Sequence, residues 1–164
     1  MEKHLVQVSG DALRFSASHF ITLGDGTCEA LHGHDFRISA RVEGPLDENR
    51  WVLDFVALHR ALRAILDELD HRVLLPTAHP AIRVEPGEQE VEVRFADRRW
   101  VFPRAECRLL PVENTTAELI ARHIGQGLLG RLSEECGVRP TGVEVEVEES
   151  PGYTAIWRWA PAPL

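Results

Sequence analysis

Near its C-terminus the chain alternates Val143, Val145 and Val147 with Glu144, Glu146 and Glu148. Successive side chains of an extended strand point to opposite faces, so this segment reads as a strand with its valines inward and its carboxylates in solvent. A Pro151-Gly152 turn leads into Tyr153, Ala155, Trp157 and Trp159, alternating with Thr154, Ile156 and Arg158, and predicts a partner strand. The same period recurs in the first quarter of the chain. Phe15, Ala17 and His19 share one face of the stretch from Asp11 to Phe20, Gly24-Asp25-Gly26 supplies a loop, and Phe36, Ile38, Ala40 and Val42 share one side between Asp35 and Glu43. These two segments predict an antiparallel pair.

A one-sided sheet needs apolar elements to cover it, and two segments have helical spacing. After Asp54, a good N-cap residue, Phe55, Leu58, Leu62, Ile65, Leu66 and Leu69 form one stripe. A second helix is predicted from Thr115, where Thr115-x-x-Glu118 matches a capping box, with Leu119, Ile120, Ile124, Leu128, Leu129 and Leu132 following and Gly137 ending it. Gly125, Gly127 and Gly130 each cost about 1 kcal/mol against Ala in a helix interior, so close packing against another backbone is expected where they lie. Between the helices, Glu90–Phe95 and Arg99–Phe102 flank Ala96-Asp97-Arg98 as a separate hairpin. The expected order is strand, strand, helix, hairpin insert, helix, strand, strand. This is an α+β fold, two helices on one face of an antiparallel sheet. The expectation is a single domain over 1–164, with the insert at about 77–110.

The 164 residues are enough for one domain with a sizeable core, but not for two large ones. Lys and Arg number 18 against 26 Asp and Glu, a net charge of −8 that repels phosphodiester backbones and acidic membrane surfaces, so neither nucleic acid nor a membrane is expected as a partner. The opening MEKHLVQVSG lacks a basic stretch followed by an apolar run, and no segment has the length of a membrane span. Cys28, Cys107 and Cys136 are odd in number and lack CxxC spacing, which argues against a disulfide framework. The expectation is a reduced, cytoplasmic protein.

The sharpest chemical feature is Cys28-Glu29-Ala30-Leu31-His32-Gly33-His34. Two histidines at i and i+2 on a strand point the same way and can take adjacent corners of a metal's coordination shell. The inward His19 is expected on the neighbouring strand, beside them. Three imidazoles without a fourth protein ligand are the pattern of catalytic zinc, with one position free for water or substrate. The spacing also permits Cys28 as a fourth ligand, which would close the site, and that alternative stays open. A cupin-type site is excluded because Arg37, Ile38 and Ser39 stand where its Glu is expected.

Two further features stand apart. Asp70-His71 follows the first helix, where an Asp beside a His can orient the imidazole for general acid/base work or simply cap the helix. Glu149 continues the inward series of Val143, Val145 and Val147. An inward carboxylate needs a donor, and a guanidine-like heterocycle edge offers one, unless the strand has already ended and Glu149 begins the turn. His4, His59, His79 and His123 show no partner pattern and read as surface or packing residues.

Taken together, these segments resemble the 6-pyruvoyl-tetrahydropterin synthase and 6-carboxytetrahydropterin synthase family, of the tunnelling fold. The resemblance covers most of the chain. It rests on Phe15-Ser16-Ala17-Ser18-His19, the Cys-x-x-x-His-Gly-His run from Cys28 to His34, Val52-Leu53-Asp54-Phe55, Leu69-Asp70-His71, Asn114-Thr115-Thr116-Ala117-Glu118, and Glu149-Ser150.

The resemblance implies Zn2+ on His19, His32 and His34, Cys28 as the proton-transferring residue with Asp70 and His71 as its acid/base partners, and Glu149 anchoring a pterin ring with help from Thr116. It implies a lyase acting on 7,8-dihydroneopterin triphosphate, and a sheet joined to its neighbours in a barrel, as a homohexamer with active sites at subunit boundaries. The cysteine spacing looks like the branch that makes 6-carboxytetrahydropterin for queuosine and 7-deazaguanine synthesis. Glu29 also satisfies Glu-x-x-His-Gly-His, the mark of a folate-related branch that releases 6-hydroxymethyl-7,8-dihydropterin. A non-catalytic pterin- or zinc-binding protein is the reading from another class. Three departures stand out: Leu74-Leu75-Pro76 where Leu-Asn is common, Thr115 where Pro is frequent, and the long 77–110 stretch.

Overall fold

A computed structural model describes residues 2–162. Its main sheet is built from β1 (His4–Val8), β2 (Arg14–His19), β3 (His32–Gly44), β4 (Arg72–Pro76), β8 (Cys107–Leu110), β9 (Gly142–Ser150) and β10 (Tyr153–Trp159). The strand path is β10-β9-β3-β2-β4-β8. β3 is long enough to hold β9 along one edge and both β2 and β1 in succession along the other. A separate three-stranded sheet joins β5 (Arg83–Pro86), β6 (Glu90–Phe95) and β7 (Arg98–Pro103).

The alternating segments fold as strands on the faces their periods require. Phe15 and Ala17 of β2, Phe36, Ile38, Ala40 and Val42 of β3, and Val143, Val145 and Val147 of β9 all enter one core. The same core holds Leu58, Leu62, Ile65, Leu66 and Leu69 of α1 (Phe55–Leu69) and Ile120, Ile124, Leu128 and Leu132 of α2 (Ala117–Cys136), so both helices cover one face. Asp54 caps α1 by accepting from the Val56 N–H at 2.9 Å.

The sheet is mixed rather than purely antiparallel, because β4 runs parallel to both β2 and β8. Parallel neighbours need long crossovers. Here β3 and α1 supply one between β2 and β4, and the small sheet supplies another between β4 and β8. Leu74 and Leu75 of β4 are both fully buried, one in each of two apolar cores. A strand covered on both faces shows no alternation to betray it.

Three local expectations are corrected. Phe55 lies outside the α1 stripe, 58% exposed at the first helical position. No capping box forms at α2. Its N-cap is Thr116, whose side chain makes no capping bond, while Thr115 is fully buried with its hydroxyl committed to the Phe20 carbonyl at 2.9 Å. Of the glycines in α2, a Cβ on Gly125 would stand 2.2 Å from the Trp157 ring and one on Gly127 would touch Ile65, whereas Gly130 faces open space. Side chains, not another backbone, press on the first two. Gly137 closes the helix in the left-handed conformation, at φ 64°.

Candidate metal centre and its surroundings

The register of β2 against β3 pairs Phe15 with Phe36, Ala17 with His34 and His19 with His32. All six lie on the face that carries the core, and the three histidines sit where that face runs out beyond the Phe15–Phe36 stack. The His19 ring lies 4.8 Å from that of His32 and 5.3 Å from that of His34, and His32 and His34 are 4.9 Å apart, all measured between centroids. One ring nitrogen from each comes within 4.8 Å of the others, and Cys28 is not in this group.

Two backbone carbonyls set the tautomers. His19 Nδ1 lies 2.7 Å from the Thr115 carbonyl and His32 Nδ1 lies 2.9 Å from that of Ala30. A carbonyl can only accept, so each Nδ1 carries a proton, and in the neutral ring Nε2 is then the nitrogen with the lone pair. His19 is 1% exposed, and its Nε2 is buried without a hydrogen-bond partner. Burial pushes the His19 imidazole below its ordinary value, against the opposing pull of Thr115 and Glu149, so the neutral, ligating form is favoured. An inward, unpartnered ring nitrogen is what a metal ligand needs, and a set of three imidazoles suits zinc.

Glu149 remains in β9, which runs to Ser150, and lies on the same face as Val147. Its Oε1 is 3.4 Å from His19 Nε2 and 4.0 Å from His34 Nε2. Thr116 stands at the start of α2, next to the residue whose carbonyl holds His19.

Cys28 and Glu29 occupy the returning arm of a small hairpin loop. Thr22 bridges to Cys28, the Glu29 N–H donates to the Ile21 carbonyl at 2.9 Å, and Asp25 accepts from both Thr27 groups inside the loop. Glu29 Oε2 reaches within 3.8 Å of His32 Nε2. The Cys28 side chain packs instead against the second apolar core, formed by Phe20, Leu75, Ile82, Val91, Val93 and Cys107. Burial raises the Cys28 thiol above its ordinary value, with Arg98 opposing and Glu29 reinforcing.

Asp70 and His71 occupy a different environment. Asp70 is the C-cap of α1, accepting the Ser16 N–H at 2.8 Å and lying 3.0 Å from His71 Nδ1. Burial disfavours the Asp70 carboxylate, but the Ser16 N–H and His71 outweigh it and hold the carboxyl below the usual range. His71 has a left-handed backbone, is 81% exposed at its side chain, and shares a pocket with Ser18, Gly33, His34 and Asp35. Among the described residues no hydrogen bond or ion pair links Asp70 or His71 to Cys28, Glu29 or the imidazoles.

The roles of two supporting residues escaped the sequence reading. Asn114 Nδ2 donates to the Thr22 carbonyl at 3.1 Å, and its Oδ1 accepts from the Thr115 N–H at 3.1 Å, tying the Cys28 loop to the start of α2. His79, expected as a surface or packing residue, accepts at Nδ1 from the Ala81 and Ile82 N–H groups at 2.9 and 2.8 Å and meets Thr22 Oγ1 through Nε2 at 2.8 Å. The Asn-Thr-Thr run ahead of a helix was a visible signal for the first. Nothing local marked the second.

A family model described as 6-pyruvoyl tetrahydropterin synthase matches residues 11–159. A protein of Methanocaldococcus jannaschii, provisionally named a 6-carboxy-5,6,7,8-tetrahydropterin synthase, is 29% identical over 147 residues, 89% of this chain and 90% of that one. The dihydroneopterin monophosphate aldolase of Pyrococcus furiosus is 37% identical over 60 residues, 37% of this chain and 50% of that one. Among solved structures, the 6-pyruvoyl tetrahydropterin synthase of Plasmodium vivax superposes with a TM-score of 0.88 at 25% identity, covering 98% of this chain and 100% of that one.

Proposed function

We propose that this chain, which belongs to the 6-pyruvoyl tetrahydropterin synthase family, is a cytoplasmic zinc-dependent lyase that converts 7,8-dihydroneopterin triphosphate to 6-carboxy-5,6,7,8-tetrahydropterin. One water is consumed, acetaldehyde and triphosphate leave, and the product feeds 7-deazaguanine and queuosine synthesis. The observation that carries the reading is the buried, unpartnered Nε2 of His19 facing His32 and His34. His19, His32 and His34 would hold the ion. When bound, zinc supplies Lewis-acid stabilisation to the oxygens of the substrate side chain.

The protein's own groups do the rest. The Thr115 and Ala30 carbonyls hold two imidazoles in the ligating tautomer. Glu149 accepts paired N–H groups of the pterin edge, with the Thr116 hydroxyl beside it. Cys28, as thiolate, takes a proton from a side-chain carbon and returns one to its neighbour. Asp70 orients His71 as the partner acid and base. Because no hydrogen bond or ion pair among the described residues joins these two to Cys28, we assign them to the site of an adjacent subunit. β10 and β8 end the sheet path and leave edges for neighbouring copies to pair, as a homohexameric barrel requires.

A second reading has its own observation. Of the two neighbouring acid/base candidates in the Cys28 loop, Glu29 and not the thiol comes close to the cluster, its Oε2 lying 3.8 Å from His32 Nε2, which favours proton transfer by Glu29 and release of 6-hydroxymethyl-7,8-dihydropterin. Incubating the zinc-loaded protein with dihydroneopterin triphosphate and weighing the products separates the cases. Acetaldehyde with carboxypterin supports the first reading and hydroxymethylpterin the second. Bound but unchanged ligand would make the protein a pterin carrier.

A further inference from the structure

The small sheet grips the loop that carries Cys28. β6 and β7 are joined by the two-residue turn Ala96-Asp97, with Ala96 at φ 51° and Phe95 paired to Arg98, so the turn delivers Arg98 at a defined place. The Arg98 guanidinium donates from Nη1 to the Cys28 carbonyl at 2.6 Å, across 70 residues of sequence. It lies 4.5 Å over the Trp100 ring, and Trp100 stacks on Phe20 at 4.8 Å with an 11° interplanar angle. Phe20 is fully buried and adjoins His19. One unbroken set of contacts therefore runs from the first histidine through two stacked rings and a planar cation to the cysteine.

We propose that Arg98 is the positioning residue for Cys28: its guanidinium holds the Cys28 backbone and places a fixed positive charge beside the thiol, so that the small sheet sets both the orientation and the readiness of the group that moves the proton. The assignment rests on Cys28 being that group. A planar fork stacked on an aromatic ring loses little freedom in making this bond, and a thiolate beside a guanidinium is favoured over one beside apolar groups alone. The charged groups that act on the thiol are Arg98, which favours ionisation, and Glu29, which opposes it, while burial opposes it as well. Removing Arg98 leaves the opposing influences without their counterweight. It also removes one of the two bonds that hold the Cys28–Glu29 peptide, leaving the Glu29 N–H on the Ile21 carbonyl as the other.

The test compares Arg98→Met and Arg98→Lys with the parent protein. Iodoacetamide labelling of Cys28, followed by mass spectrometry of its peptide to separate it from Cys107 and Cys136, is measured across a pH series alongside steady-state turnover. Arg98→Met should move the labelling midpoint to higher pH by about one unit and lower kcat roughly tenfold, the factor one unit stands for, with KM and zinc content unchanged. Arg98→Lys, which keeps a charge and a donor, should recover most of both. Labelling of Arg98→Met at the parent's midpoint and rate overturns the proposal. So does an equal loss in both variants, because the effect would then follow hairpin docking and not the charge. The catalytic reading fails separately: Cys28→Ala with undiminished carboxypterin formation would remove Cys28 from the chemistry while leaving the labelling result intact.

Discussion

The imidazole cluster and the Cys28 loop lie side by side, yet they are built by different means. His19, His32 and His34 belong to paired strands, where register and alternation place three rings on one face before any loop is considered. Cys28 and Glu29 sit in a loop held by contacts from far along the chain: Asn114, Arg98 and, through Thr22, His79. On the function proposed above, the difference separates a rigid place for an ion from an adjustable place for proton transfer. A strand pair tolerates no slip, because a shift of one residue turns every side chain to the other face. A loop can be retuned by whatever packs on it.

The largest effect should come from the rigid side. His19→Ala should strip the metal and lower turnover by roughly a thousandfold or more, because several kcal/mol of charge stabilisation leave with the ion. Elemental analysis beside activity checks this, and a variant with full metal content would end the claim that strand register builds the centre. On the loop side, Cys28→Ala should keep its zinc while carboxypterin formation falls by about 10²–10⁴-fold, the usual worth of a positioned acid or base. Metal lost from that variant would make the thiol a ligand and dissolve the distinction between the two regions.

Smaller effects test how tightly each region is packed. Gly125→Ala places a methyl group against the Trp157 ring and should cost about 1–3 kcal/mol, whereas Gly130→Ala meets open space and should stabilise by up to about 1 kcal/mol. Denaturant unfolding of both variants would show whether the main core is as unyielding as its contacts imply. The smallest effect belongs to His79. Burial lowers its pKa from the ordinary 6.5, and its Nδ1 already accepts two N–H groups, so the folded state prefers it neutral. The unfolded chain therefore takes up the proton first, and this contribution to stability is lost as pH falls below 6.5. The difference in melting temperature between the parent and His79→Gln should narrow over that range, and a constant difference would remove His79 from the hold on the loop.

The site was unevenly legible. Alternation alone placed His19 inward, and the spacing of His32 and His34 set both on one side of a strand. Glu149 was harder, because period two cannot say where a strand ends, and the β3 pairing stops at Glu148 while the pairing with β10 carries β9 on to Ser150. The expected capping box failed for a physical reason. Thr115 had the right residue type at the right spacing, but burial turned its hydroxyl to Phe20 and its carbonyl to His19. β4 and β8 were invisible because one is buried in two cores and both pair in parallel over long crossovers. Asp70 and His71 stood out as a dipeptide, but nothing in their spacing told which surface they would reach.

Local periodicity thus decided the two helices, the principal strands and the face each presents, because these follow from backbone geometry that any neighbour must accept. Tertiary structure decided which carbonyl turns His19, how the small sheet docks, and which cation meets Cys28. Those partners lie 96 and 70 residues away. They are selected by which surfaces bury together, a condition that no short run of residues contains.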